Sequence, residues 1–282
     1  MGKNIKSVAV KMRRLLILDE PEVSLSPQNQ VFLAQQINFG ARLMNNQYII
    51  ATHSLIKKLN CDYKINYMRR KQLMNTVVYL TRHGQTEWNI ERRLQGRGNS
   101  PLTQAGIARA SELRDRIKDI DIDVIYSSPI ERALDTANII KGEKNIEVIT
   151  NDGLMEMCFG DYEGRRTDEV MKENPEWNID FIMKGDVNLC APNGETLGYV
   201  RTRISETMDK LIEQNRGKTI FVVAHGITLK ALMYYFKDEE VNTEVMGQAT
   251  LTKITVDKNN NFNIEFKNDD SHFTVKGQKL GW

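Results

Sequence analysis

Thr76-Val77-Val78-Tyr79-Leu80-Thr81-Arg82-His83-Gly84 sets a short, β-branched apolar run, Thr76–Leu80, separated by Thr81 alone from an arginine, a histidine and a glycine. A run of this kind suits a strand buried on both faces, as in the parallel sheets of α/β proteins. The arrangement recurs further along the chain. Asp123-Val124-Ile125-Tyr126 leads into Ser127-Ser128-Pro129, with Arg132 on the first turn of the next helix, and Thr219–Ala224 leads into His225-Gly226. Thr103 is placed to cap a helix whose apolar positions recur at Ile107, Ala110, Leu113 and Ile117. Helices are also expected over Ile130–Ile140, Thr196–Asn215 and Thr228–Phe236, and strands over Glu147–Thr150, Leu251–Val256 and Asn263–Phe266. Strands alternating with helices predict an α/β domain with a mostly parallel sheet flanked by helices.

Composition narrows the function classes. The 282 residues are 40% hydrophobic and 27% charged, which fits a folded chain and excludes a collagen-like or low-complexity one. No apolar run approaches the ~20 residues of a membrane-spanning helix, and no membrane partner is expected. Cys61, Cys158 and Cys190 are too scattered for a disulfide framework or a zinc cluster, so a reducing, cytoplasmic setting is expected. Residues 1–73 hold 12 Lys/Arg against 4 Asp/Glu, a balance of +8, while the remainder balances at −6. The positive charges are dispersed and not interleaved with aromatics, which argues against nucleic acid as a partner.

In an open parallel sheet the crevice at the carboxyl ends of the strands receives ligands. The three strand ends deliver Arg82, His83, Arg132 and His225 there, and the chain has only 4 histidines. Two guanidiniums offer forks that match phosphate oxygens, a neutral imidazole can attack phosphorus, and a second histidine can donate to a non-bridging oxygen. The histidines lack metal-ligand spacing, so neither a metal nor a cofactor is expected.

Leu80-Thr81-Arg82-His83-Gly84-Gln85-Thr86-Glu87-Trp88-Asn89 resembles the Arg-His-Gly motif of the histidine phosphatase superfamily, the phosphoglycerate mutase-like proteins. The resemblance continues through Leu94-Gln95-Gly96, Ser100–Gly106, Ser128–Ala137, Leu154-Met155-Glu156, Phe159–Gly164, Asn193–Thr196 and Val223–Gly226, and so covers residues 75–282. It implies a phosphoglycerate mutase-like fold and a histidine acid phosphatase-type phosphomonoesterase acting on a small phosphorylated metabolite. His83 would become a phosphohistidine, and Arg82, Arg132 and His225 would hold the phosphoryl oxygens, with Asn89 as an additional contact. Glu156 would protonate the leaving alcohol and then deprotonate water. Mutase-type phosphoryl transfer stays open beside hydrolysis. The charged, short stretch between Gly164 and Pro192 is where specificity residues are expected, and it lacks the Arg-Arg-Ser-Phe-Asp run typical of the mutases.

Residues 1–60 resemble part of another family. Leu15–Glu22 is similar to the Walker B strand of an ABC-type ATPase, Ser24-Leu25-Ser26-Pro27 to the following D-loop, and Ala51-Thr52-His53-Ser54 to the switch histidine. A helix is expected over Pro27–Met44, between strands at Leu15–Leu18 and Tyr48–Ala51. No G-x-x-x-x-G-K-[ST] loop precedes them, so this reads as a partial P-loop ATPase-like segment without its phosphate cradle. Residues 61–74 read as a linker. The segment could self-associate or join a partner chain, and a non-catalytic protein docking through it is the reading from a different class.

Overall fold

The computed structural model describes residues 16–17, 49–50, 75–238, 240 and 246–275. The chain divides into two units, Met1–Lys71 and Gln72–Trp282. In the first, β1 (Leu16–Ile17) and β2 (Ile49–Ile50) pair in parallel, Leu16 opposite Ile49 and Ile17 opposite Ile50. Both lie within the apolar runs read as strands. The helix expected over Pro27–Met44, the motif residues Asp19, Glu20, Ser24–Pro27 and His53, and the linker at 61–74 lie outside the described residues.

The second unit is built on a six-stranded sheet. Its strands are β3 (Thr76–Arg82), β4 (Val124–Ser127), β5 (Val148–Thr150), β6 (Thr219–Ala224), β7 (Leu251–Val256) and β8 (Phe262–Asp269). The order is β5-β4-β6-β3-β7-β8. The first four run parallel, β7 is antiparallel to β3, and β8 returns antiparallel to β7. The sheet is therefore mixed, with β7 alone running against the other five. Asp257 Oδ1 accepts from the amides of Asn259 and Asn261 to close the β7–β8 turn, and Asn260 takes the left-handed conformation at φ 62°.

Residues alternate across a strand, so each one feeds two cores. Val78, Leu80, Ile220 and Val222 face one side, where α6 (Leu197–Gln214) and α7 (Gly226–Tyr235) pack through Ile204, Met208, Leu229 and Leu232. Tyr79, Ile125, Phe221 and Val223 face the other, against Leu113 of α2 (Gln104–Arg116) and Ala133, Ala137 and Ile140 of α3 (Glu131–Lys141). Double coverage explains why these strands read as unbroken apolar runs. Thr103 caps α2 by accepting from the Gly106 amide, an interaction worth about 1 kcal/mol.

The charged stretch between Gly164 and Pro192, for which no elements are expected from sequence, is folded. It forms α4 (Thr167–Glu173) and α5 (Ile179–Met183), after a short α1 (Glu87–Ile90) earlier in the chain. Val170, Trp177, Ile179 and Ile182 are buried there, and Trp177 meets Phe159 and Tyr162 edge-on. Their spacing is irregular across two short helices, so charged neighbours hide the apolar face.

Topology positions the site. β6 inserts between β3 and β4, so strands ending at Arg82, Ser127 and Ala224 finish side by side although they are far apart in sequence.

Candidate active site

His83 follows β3 and is 2% exposed. Its Nδ1 lies 2.7 Å from the Gly84 carbonyl, which can only accept, so Nδ1 carries the proton. The lone pair is thereby fixed on Nε2, which accepts from Arg132 Nε at 3.2 Å. Burial, together with the charges of Arg132 and Arg82, holds His83 well below the ordinary histidine range. It is the neutral imidazole that a nucleophile requires. The Gly84 amide donates to Thr136 Oγ1, whose hydroxyl donates to the Arg132 carbonyl, so the turn after β3 is tied to α3.

Arg132 sits in the first turn of α3 and is 1% exposed. Its Nη1 donates to the Gly98 carbonyl at 2.6 Å and Nη2 to the Gly96 carbonyl at 2.7 Å. Burial pushes its pKa down to about 10, opposed by the Glu156 carboxylate, and the group stays cationic at neutral pH. Arg82 is also buried, which lowers its pKa against the pull of Glu156. Its Nε has no hydrogen-bond partner among the described residues.

His225 stands at the N-cap position of α7 without a side-chain capping bond and is fully buried, its ring centroid 5.2 Å from that of His83. Burial first, then Arg132, His83 and Arg82, hold it well below the ordinary histidine range. Both its ring nitrogens lack a partner among the described residues.

Glu156 lies across the start of α7. Oε1 accepts from the amides of Met157 (2.9 Å) and Thr228 (3.0 Å), and Oε2 from the Ile227 amide (3.2 Å). The Thr228 hydroxyl is 3.1 Å from Oε1 and 2.8 Å from the Met155 carbonyl. Amides free at the first turn of a helix hold an anionic group, and here they hold a side chain of the protein itself. Arg203 steadies the same segment from below, donating from Nη1 to the carbonyls of Gly153 and Met155.

Asn89 is buried at the cleft wall, and its Oδ1 accepts from the Thr86 amide (3.0 Å) as part of a capping box on α1. The cleft therefore brings together all six residues singled out in the sequence: Arg82, His83, Asn89, Arg132 and Glu156 line it, and the His225 ring lies tilted against that of His83.

Sequence reasoning did not give roles to the residues that hold these in place. Glu163 accepts from the amides of Arg97, Gly98 and Phe159. Glu195 accepts from the Cys158 amide and from the side chains of Arg97 and Arg203. Two carboxylates thus join the 96–98 loop, which seats Arg132, to the segment carrying Glu156. Both stand in the quoted motif blocks, but nothing in their local sequence shows that they cross-link distant loops.

Two buried guanidiniums, an imidazole with its lone pair fixed on Nε2 and unpartnered buried polar atoms around them define a phosphoryl-handling site that works through histidine. Comparison with known proteins agrees. The family model of the histidine phosphatase superfamily (branch 1) matches residues 78–270, and the chain belongs to that superfamily. The protein named "Probable phosphoglycerate mutase GpmB" of Escherichia coli (strain K12 / DH10B) is 34% identical over 156 residues, 55% of this chain and 72% of its own length. Bacillus stearothermophilus YhfR superposes with a TM-score of 0.64 at 36% identity, covering 70% of this chain and 98% of its own. The alpha-ribazole phosphatase of Shigella flexneri superposes at 0.63 with 25% identity, covering 68% and 96%. The chain is thus an enzyme of a superfamily whose members hydrolyse or transfer phosphoryl groups through phosphohistidine.

Proposed function

We propose that the chain hydrolyses small phosphomonoesters, with Nε2 of His83 as the nucleophile. The observation that carries this reading is the His83 tautomer: the Gly84 carbonyl accepts a hydrogen bond from Nδ1–H, which leaves the ring lone pair on Nε2 beside Arg132. Nε2 attacks phosphorus while the ester P–O bond breaks. Arg82, Arg132 and His225 hold the non-bridging oxygens, where charge is concentrated in transfer. Glu156 passes the proton of the monoprotonated ester to the leaving alkoxide, then takes one from the water that attacks the phosphohistidine and returns it to the inorganic phosphate that leaves. Asn89 borders the phosphoryl pocket as a further contact.

Hydrolysis is favoured over mutase-type transfer by the apolar part of the cleft lining. Leu94, Phe159, Ile179, Met183 and Ile227 line it, while Arg93 is engaged by Glu91 and the Gly164 carbonyl and the Thr167 hydroxyl by the Arg92 carbonyl. A leaving alcohol with apolar surface suits such a wall better than a carboxylated phosphoglycerate. The test is turnover of p-nitrophenyl phosphate against 3-phosphoglycerate, by the parent and by His83→Ala. The parent is expected to hydrolyse the first ester, to give an acid-labile, base-stable phosphoenzyme, and to lose both properties in His83→Ala. Turnover by His83→Ala near the parent rate would refute the assignment.

We also infer that residues 1–60 form a partial ATPase-like segment that does not hydrolyse ATP, because Asp19, Glu20 and His53 are not joined by a phosphate-cradling loop in the sequence. Micromolar ATP affinity lost in Glu20→Gln would contradict this. A cytoplasmic location is supported by Cys158 and Cys190, which form no disulfide among the described residues.

A further inference from the structure

Gln248 follows a stretch outside the described residues and precedes β7 in sequence, and it belongs to none of the motif blocks that define the cleft. Its backbone bridges that of Arg82, the last residue of β3, and the next amide, Ala249, donates to the Arg82 carbonyl at 3.0 Å. Ala249 takes the left-handed conformation at φ 55°, turning the chain so that Gln248 lies beside the strand end. The Gln248 side chain is buried, at 4% exposure, and both its amide oxygen and its amide nitrogen lack a hydrogen-bond partner among the described residues.

A buried primary amide with neither end satisfied is unfavourable, and folded proteins contain few. Its neighbour in the sheet pairing has a matching deficiency, since Arg82 Nε is also buried and unpartnered. An N–H donor and an amide acceptor, both unpaired, thus start from directly bridged backbone positions. A Cβ on Gly226 would stand 3.4 Å from Arg82 Cζ, in ordinary contact, so the start of α7 lies directly against the guanidinium. A guanidinium that spends both Nη groups on phosphoryl oxygens still has Nε–H to place, and a neutral acceptor satisfies it without cancelling the charge that attracts the anion.

We propose that Gln248 is a positioning residue for Arg82, its amide oxygen accepting from Arg82 Nε when the guanidinium fork closes on a phosphoryl group. The proposal rests on the reading of the cleft as a phosphoryl site. It assigns Gln248 to binding of the anion and leaves the leaving group to the apolar part of the cleft lining. The pairing belongs to the liganded state; before it, both groups are unpartnered among the described residues.

The experiment uses the full chain with Gln248→Met and Gln248→Glu, and reads competitive inhibition by inorganic phosphate, kcat and KM for p-nitrophenyl phosphate, and Tm. Gln248→Met removes the acceptor at similar volume. It is expected to weaken phosphate inhibition about tenfold, about 1.4 kcal/mol, while Tm holds or rises because two unsatisfied polar atoms leave the interior. Gln248→Glu keeps an acceptor but sets a negative charge beside Arg82. Its phosphate inhibition is expected to match the parent's where the new carboxyl is protonated and to weaken progressively as pH rises, which a purely structural residue would not produce. Phosphate inhibition and kcat/KM within twofold of the parent in Gln248→Met would overturn the proposal. If that variant does not fold, a pH profile of phosphate inhibition in Gln248→Glu parallel to the parent's would overturn it. Failure of the phosphatase reading is read separately, as a parent chain that neither turns over the ester nor binds phosphate.

Discussion

Arg132 Nε donates to Nε2 of His83 at 3.2 Å, so the lone pair assigned to attack phosphorus is held by one of the cations assigned to receive the phosphate. The two Nη groups are meanwhile fixed on the Gly96 and Gly98 carbonyls. The guanidinium is seated by the protein before substrate arrives, and the phosphoryl group has only to take over the Nε contact. Arg132→Lys removes the planar fork, and an ammonium cannot reach both carbonyls and the imidazole in one plane. The expected outcome is a loss of about 10²–10³ in kcat/KM, the size seen when a preorganised oxyanion donor is removed. Steady-state kinetics on p-nitrophenyl phosphate measure it.

Gly96 gives a second, indirect handle on the same arginine. It lies at φ 54°, and a Cβ on it would come within 2.1 Å of Glu163 Oε1. Gly96→Ala therefore incurs left-handed strain of about 1–2 kcal/mol and displaces the carboxylate that holds the Arg97 and Gly98 amides. A Tm loss of about 2–8 °C is expected, with kcat/KM falling at least about tenfold as Arg132 loses its seat. Thermal melts and kinetics on one preparation test both, and a melt shift with unchanged kinetics would separate the loop from the site.

The buried histidines predict how stability depends on pH. His83 and His225 are both held well below the ordinary histidine range by burial and neighbouring cations. Above about pH 6.5, the unfolded histidine value, both states are neutral and no effect is expected. As pH falls below it, the unfolded chain binds protons that the folded one refuses, so stability declines towards the folded-state values. Tm should therefore fall progressively below about pH 6.5. His225→Asn should flatten that fall, and an unchanged slope would show that other groups govern it.

Every residue given a chemical role lies at or after Arg82, and the six-stranded sheet begins at Thr76. A domain of about 200 residues can bury a sufficient core alone. A polypeptide beginning at Met74 is therefore expected to fold and to keep kcat/KM within a few-fold of the full chain. Insolubility or inactivity of that polypeptide would show that residues 1–73 are integral to the enzyme.

Local sequence determined the strands of the second unit, its four long helices and the chemical type of the site. Apolar runs such as Thr219–Ala224 read as strands because they are buried on both faces, and the residues directly after them fall at the carboxyl ends of a sheet by topology alone. The ends needed extension rather than reversal: β3 runs on to Arg82 and β8 spans Phe262–Asp269. Arg82, His83, Arg132, Glu156 and His225 were legible because each follows a strand or stands in an ordered motif. Tertiary structure alone decided the rest. Which imidazole nitrogen bears the proton follows from the Gly84 carbonyl. The seating of Arg132 depends on two carbonyls 34 and 36 residues away. The apolar wall comes from Ile179 and Met183, in a segment whose charges dominate its sequence. Gln248 is bridged to Arg82 by a chain reversal at a left-handed alanine. Strand and helix signals reside in neighbouring residues, and so they are written locally. Proton placement, anchoring carbonyls and buried amides depend on groups brought close only when the chain closes on itself.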